Sequence, residues 1–194
     1  ARRGDTETMH RVFAAHMVSR MGWDRPLFAV HPALDPVFAA AGAAGGPRHL
    51  RIATIANRRP DELRLIHGIV RSRRPDLARL PWYDIRGASR AEVARQMAAS
   101  EIFLALGHLE GLGLPPLEAM AAGALVVGFY GGGGQEYATA ENGDWFQDGA
   151  HFEIAQTLIR RIDQLRGGER FAVRRAAGRQ TVEDFSQEAF ETGL

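Results

Sequence analysis

With 194 residues, 45% apolar and 24% charged, the chain has room for one substantial domain and part of a second, and the composition of an ordinary soluble globular protein. A formal net charge of +1 gives no general case for a nucleic-acid partner. The absence of cysteine excludes disulfides and thiolate metal sites and fits a reducing, cytoplasmic compartment. All 24 basic residues are arginine, which excludes a catalytic or P-loop lysine. No apolar run approaches the roughly 20 residues of a membrane span, and no signal peptide is expected at the start.

Residues 1 to 10 are polar and expected to fray. Thr6 to Met21 is predicted as a helix whose apolar face is Met9, Val12, Phe13, Met17 and Val18, ended by Gly22. That face suits packing on a further domain as well as peripheral contact with a membrane. A short extended run, Pro26 to Val30, follows, and Ala39 to Pro47 is small and loop-forming, a natural boundary. The expected division is 1–46 as amino-terminal helix and linker, 47–166 as a Rossmann-like α/β domain, and 167–194 as helices packing back toward the amino-terminal side.

From Leu50 strand and helix alternate, which predicts a parallel sheet with helices on both faces. Leu50 to Ala56 is the first strand, and Asn57, Arg58 and Arg59 stand at its carboxyl end, where open α/β sheets bind ligands. Pro60 opens a helix with Leu63, Ile66, Ile69 and Val70 on its apolar face. Trp82 to Arg86 is the next strand, Gly87 a turn, and Ser89 to Glu92 a capping box for a helix that turns Val93, Met97 and Ala98 inward.

The densest signal is EGLGLPPLEAMAAG, Glu110 to Gly123, set between the apolar runs Glu101–Leu106 and Ala124–Phe129, each a buried parallel strand. Pro115 and Pro116 suit a first helical turn and Gly123 the position past a helix end. Glu110 is therefore expected on the loop and Glu118 near the helix start. Gly111 and Gly113 let the backbone approach a ligand, and the free N–H groups of a helix start suit a phosphate. Two glutamates flanking such a turn can hold the diols of a sugar and a ribose, which together describe a nucleotide-sugar site. Glu118 can equally complement the helix dipole and Glu110 be solvated.

Gly131 to Gly134, then Gln135 and Glu136, form a glycine-rich loop, and Asn142 to Gly149 carries two turn signals around an aromatic pair. Asp148 is expected to cap a helix with Phe152, Ile154, Ala155, Leu158, Ile159, Ile162 and Leu165 on a broad apolar face. Gly167 and Gly168 end it, one helix runs to about Gln180, and Ser186 caps another. No paired histidine–carboxylate spacing marks a metal site, no G-x-G-x-x-G follows the first strand, and no G-x-S-x-G elbow occurs. His108 is expected to be a solvated loop histidine.

Glu110 to Gly123, with the two glutamates eight residues apart, then the Val126–Val127 pair and a glycine-rich turn to Glu136, resembles the EGFGLPxLEAMAxGxPVV…GGxPE signature of retaining glycosyltransferases of family 4. The resemblance covers roughly residues 27 to 194. Residues 31–38 look like that family's linker and Phe185–Ser186 like its closing motif. It implies the carboxyl-terminal, donor-binding half of a GT-B enzyme that moves a hexose-type sugar from a nucleoside diphosphate to a sugar, lipid or protein hydroxyl. By that resemblance Glu110, Gly111, Leu112 and Gly113 hold the donor sugar and Glu118 the ribose. Arg58 or Arg59 meets the diphosphate, Arg64 stands in for the family's lysine if its helix turns it inward, and Gly132, Gly133 and Glu136 match the glycine pair and glutamate. No divalent metal or other cofactor is expected. Leu106–Gly107 replaces the family's proline–serine, and Leu112 its usual phenylalanine. The alternatives are a non-catalytic nucleotide-sugar binding module or another GT-B activity such as an epimerase or phosphorylase.

Overall fold

Short apolar strands alternate with amphipathic helices along the chain, and a β-strand followed by a helix returns to the same sheet edge only as a parallel neighbour. The computed structural model describes residues 32–192, so the expected helix over Thr6–Met21 and the run Pro26–Val30 lie outside the described residues. The helices are α1 Val37–Ala43, α2 Pro60–Arg73, α3 Arg90–Ala98, α4 Leu114–Ala121, α5 His151–Arg166, α6 Ala172–Glu183 and α7 Gln187–Thr192. The strands are β1 His49–Thr54, β2 Trp82–Asp84, β3 Ser100–Ala105, β4 Leu125–Phe129 and β5 Gly143–Phe146. They form one parallel sheet in the order β2-β1-β3-β4-β5, the α/β, Rossmann-like arrangement expected. The chain reverses its direction of winding between β1 and β3, which makes that gap the topological switch point.

Alternation along the strands divides the core in two. Ala53, Phe103, Ala105 and Val126 face one layer, with Phe38 of α1, Met97 of α3, and Leu117 and Met120 of α4. Ile52, Ile102, Leu104, Leu125, Val127 and Phe129 face the other, with Ile66 and Val70 of α2 and Ile154, Leu158 and Ile162 of α5. Leu34 and Phe185 are buried in the first layer, and Leu34 N donates to the Phe185 carbonyl at 2.8 Å. The chain entering the sheet and the chain leaving it therefore meet on one face.

Five expectations are corrected. Ala39–Ala43, read as loop, is helical: Phe38, 1% exposed, anchors α1, and its small residues serve close packing, since a Cβ on Gly42 would lie 2.6 Å from the Ala121 carbonyl oxygen. Gly143–Phe146, read as part of a turn-rich loop, is a fifth strand, with Val126 paired to Gly143 and Phe129 to Phe146. Asp148 does not cap α5, which begins at His151 after Ala150 without a side-chain cap. Phe152 leaves the apolar face and lies 39% exposed under the Arg73 guanidinium, 4.2 Å from ring centre to Cζ. The capping box is half made: Ser89 Oγ accepts from Glu92 N at 3.3 Å, while the Glu92 carboxylate turns forward to Arg95 and Gln96. The Ser186 cap forms as expected, accepting from Ala189 N at 3.1 Å. Among the described residues no helix is long and apolar enough to cross a membrane.

Two glycines give opposite expectations. Gly128 in β4 has φ +150°, and a Cβ there would overlap the Ala105 backbone of β3. Gly68 lies inside α2, exposed, with nothing within 4 Å of its Cβ position. Urea unfolding should show Gly128→Ala destabilised by ~2 kcal/mol or more. The same experiment should show Gly68→Ala stabilised by ~0.5–1 kcal/mol.

Candidate functional site

The segments that leave β1, β3 and β4 at their carboxyl ends enclose a cleft of about 340 Å³ at the switch point. One wall is Asn57, Arg58 and Arg59; another is Gly107, His108 and Glu110; Pro115 and Pro116 of α4 and Phe129 and Tyr130 after β4 complete it. A smaller hollow of about 260 Å³ adjoins it, between Leu109, Gly131, Gln135 and Asp148.

Glu110 is fixed by its backbone. Its N–H donates to the Gly131 carbonyl at 2.7 Å, and its own carbonyl accepts from Gly133 N at 3.1 Å, so it bridges to Gly132 like a short parallel strand. The carboxylate is 31% exposed and reaches into the cleft, with Oε1 3.5 Å from Nη1 of Arg58. Arg58 is 83% exposed, so this long contact leaves both groups to solvent and ligand. Gly113, at φ +79°, turns the chain into α4, and its carbonyl accepts from the Tyr137 hydroxyl at 2.7 Å. Burial, and then the charges of Glu110 and Glu136, push the Tyr137 phenol well above its usual range and keep it a donor. Pro115 and Pro116 remove two of the four orphan donors of the helix start, leaving the N–H groups of Gly113 and Leu114 there.

Arg59 is the ordered cation of the cleft. Its Nη2 lies 2.7 Å from Glu62 Oε1, its Nη1 2.7 Å from Asp148 Oδ1, and its Cζ 4.8 Å from the Phe129 ring centre. Glu62 is held in turn by His151 Nε2. His108, expected to be solvated, pairs through Nδ1 with Asp148 Oδ2 at 3.3 Å.

Glu118 is the fifth of the eight residues of α4, deeper than expected, and only 6% exposed. The cleft walls reach Pro115, one turn before it on the same side of the helix. Its Oε1 accepts from Arg90 Nη2 at 3.1 Å, and Arg90 also holds Asp35 at 2.8 Å over the Phe38 ring. Burial raises the Glu118 carboxyl above its ordinary range, and Arg90 opposes that only in part.

The structure thus brings Glu110, Gly113, Arg58 and Arg59 to one cleft. Gly111 is exposed beside it, whereas Leu112, expected at the donor sugar, is buried in the core. Gly132 and Gly133 act through the backbone, and Glu136 sits in a 3-10 turn beside Tyr137, outside the cleft walls. Arg64 is corrected outright: it is 72% exposed and pairs with Asp61 on the outer face of α2, because position 64 falls on the side of the helix away from Ile66 and Val70. The sequence reasoning missed Arg90 and Asp148. Arg90 is the first helical residue after its Ser89 cap and carries no signal beyond that; Asp148 carries one, its turn position, which points to capping instead.

A parallel sheet of this order with a polar cleft at its switch point is a Rossmann-like architecture, and solved glycosyltransferases share it. The carboxyl-terminal domain of a group 1 family glycosyl transferase, LpcC, from Francisella tularensis matches with TM-score 0.54 and 19% identity, over 79% of this chain and 94% of that one. A variant of TarM from S. aureus, solved with fondaparinux, alpha-GlcNAc-glycerol and UDP, matches with TM-score 0.66 and 15% identity, over 93% of this chain and 41% of that one. The family model described as glycosyl transferases group 1 matches residues 85–179. An alpha-1,6-glucosyltransferase from Actinobacillus pleuropneumoniae serotype 7 is 28% identical over 160 residues, 81% of this chain. The chain spans about half of that relative's length, 48%. Over these residues the chain is thus similar to glycosyltransferases of group 1.

The buried carboxyl gives a signed expectation. A folded-state pKa above that of the unfolded chain means Glu118 favours folding fully below about 4.5, its ordinary value, and loses that contribution as pH rises through the folded value. Glu118→Gln keeps the acceptor for Arg90 without the charge. In urea unfolding its stability relative to wild type should therefore grow from pH 4 to pH 7; a constant difference would show that Arg90 fully compensates the buried charge.

Proposed function

We propose that this chain is the donor-binding half of a retaining glycosyltransferase that transfers a hexose-type sugar from a nucleoside diphosphate to an acceptor hydroxyl on a sugar, lipid or protein. The observation that carries the proposal is the switch-point cleft in which Arg58 and Arg59 of one loop face the Glu110 carboxylate of another. Cations on one wall suit a diphosphate, and a carboxylate on the other suits sugar hydroxyls. The family match over residues 85–179 and the UDP bound by TarM favour this over another ligand of a Rossmann-like sheet.

In this scheme bond cleavage leaves charge on the departing diphosphate. Arg59, held toward the cleft by Glu62 and by the Phe129 ring, meets that charge, and Arg58 adds an exposed second cation. Glu110 orients the donor sugar through its hydroxyls, with the Gly113 and Leu114 N–H groups beside it. Glu118 holds the ribose hydroxyls: it stands one turn behind the wall formed by Pro115, and its retention as a buried acid fits a ligand role better than a packing role. The arginines do the work that a divalent metal does elsewhere, so binding proceeds without one. The cleft accounts for the donor side of the reaction.

Calorimetric titration with uridine, guanosine and adenosine diphosphates in the presence of a chelator tests this. One nucleotide should bind saturably. Arg59→Ala should weaken it by ~1.5–3 kcal/mol and Glu118→Ala by ~1 kcal/mol or more, with Arg64→Ala within twofold of wild type. Binding that needs added metal, or that is lost on Arg64→Ala and kept on Arg59→Ala, would overturn the assignment.

A further inference from the structure

Arg59 is more heavily committed than a phosphate-binding arginine needs to be. Its two terminal nitrogens are each 2.7 Å from a carboxylate, Glu62 and Asp148, and Nη1 also lies 3.4 Å from the Gly107 carbonyl. Both terminal nitrogens are engaged by acids and the side chain is 11% exposed, so a diphosphate that seeks the terminal edge of the guanidinium competes there with a carboxylate. The two are not equivalent. Glu62 is 24% exposed, rises from the first turn of α2 and is tied to His151. Asp148 is 51% exposed, sits on the loop between β5 and α5, and is followed by Gly149 at φ +92°, a left-handed position that only glycine adopts freely. Its pairs are with Arg59 and with His108 at 3.3 Å, both on the cleft walls.

We infer that Asp148 is an exchangeable counter-anion for Arg59: an incoming phosphate takes the Nη1 edge from it, and this competition sets how tightly the cleft holds a nucleoside diphosphate. The inference rests on the donor-site reading and adds a residue that reading does not contain. A doubly charged phosphate group outcompetes one half-exposed carboxylate on the same fork, so exchange favours the ligand. Glu62 meanwhile keeps the arginine aimed at the cleft. Asp148 therefore acts through Arg59 and is a positioning and affinity-setting residue, not a catalytic one.

A double-mutant cycle of Asp148→Asn and Arg59→Gln tests this, read by calorimetry with inorganic pyrophosphate and with uridine diphosphate, and by the guanidinium nitrogen resonance of Arg59 without ligand. Asp148→Asn should tighten pyrophosphate roughly two- to fivefold, and the gain should vanish in the Arg59→Gln background. The ligand-free Arg59 resonance should shift on Asp148→Asn, which checks the pair directly in a folded protein. Wild-type binding with no gain in Asp148→Asn, or an equal gain with Arg59→Gln, overturns the inference while leaving the donor site standing; the equal gain would mark simple loss of a nearby negative charge. An unmoved Arg59 resonance overturns it as well. Failure of every variant to bind either probe overturns the donor reading and this inference together.

Discussion

The loop after β3 and the loop after β4 are laced backbone to backbone, and the cleft depends on that lacing. Glu110 N donates to the Gly131 carbonyl and Gly133 N to the Glu110 carbonyl, so the two segments approach as closely as neighbouring strands. Side chains cannot be tolerated there: a Cβ on Gly133 would overlap the Gly111 carbonyl, and one on Gly131 would lie 3.1 Å from Gly107. The same tightness begins inside the sheet, where Gly128 lets β4 pass the Ala105 backbone. Gly131 and Gly133 are thus a packing requirement before they are a flexibility device. The lacing carries the Glu110 carboxylate to the mouth of the switch point, opposite the arginines that leave β1.

The all-arginine chemistry of the chain is used structurally at the other end of the sheet. Arg48 donates through Nη1 to the Ala98 carbonyl and through Nη2 to the Ala122 carbonyl, each at 2.8 Å, closing the carboxyl ends of α3 and α4 at once. Arg175 does similar work from α6, reaching the Gly123 carbonyl and Glu101. Burial lowers the pKa of both guanidiniums, and carbonyls at helix ends are where a cation is favoured. A planar fork serves two acceptors in fixed directions; an ammonium would serve them less well. The helix α4, whose first turn lines the cleft, is therefore pinned at the end remote from it, leaving its amino-terminal end to face the cleft.

Much of this was legible in the sequence because it was written in local pattern. The continuous apolar runs before and after EGLGLPPLEAMAAG could be little other than buried parallel strands, and Pro115, Pro116 and Gly123 marked the helix between them. The failures share a physical cause: residues whose role is decided by a distant partner. Gly143–Phe146 is too short and too mixed to signal a strand, and becomes one because β4 offers an open edge and Tyr130 stacks on Trp145 at 6.1 Å. The alanines of α1 look like a loop until α4 is placed beneath them. Arg64 and Arg59 are both arginines near the same strand end; only the rotation of α2 separates the one that pairs outward with Asp61 from the one drawn under Phe129. Asp148 had a satisfactory local assignment as a cap, and tertiary pairing with Arg59 overrode it.

Glu118 distinguishes fold from function most clearly. The other buried polar side chains among the described residues satisfy themselves within the structure: Thr54 donates to the Leu104 carbonyl, Ser100 to the Gln96 carbonyl, Asn142 to the Tyr137 carbonyl and Thr181, and Thr157 accepts from Arg160. Each stabilises a local junction, and a neutral group suffices for it. Glu118 is the one carboxylate among them, and its burial raises its pKa despite the Arg90 pair, so ionisation there opposes folding. Arg90 is 56% exposed and already has Asp35, so it does not need Glu118 to be satisfied. A neutral acceptor of the same shape would keep the Arg90 hydrogen bond without the cost of the charge. What a carboxylate offers beyond that is two acceptor oxygens with full charge one helical turn from the cleft, and a vicinal diol is the ligand chemistry that uses both. The proposed ribose contact accounts for an acid where packing alone would favour an amide.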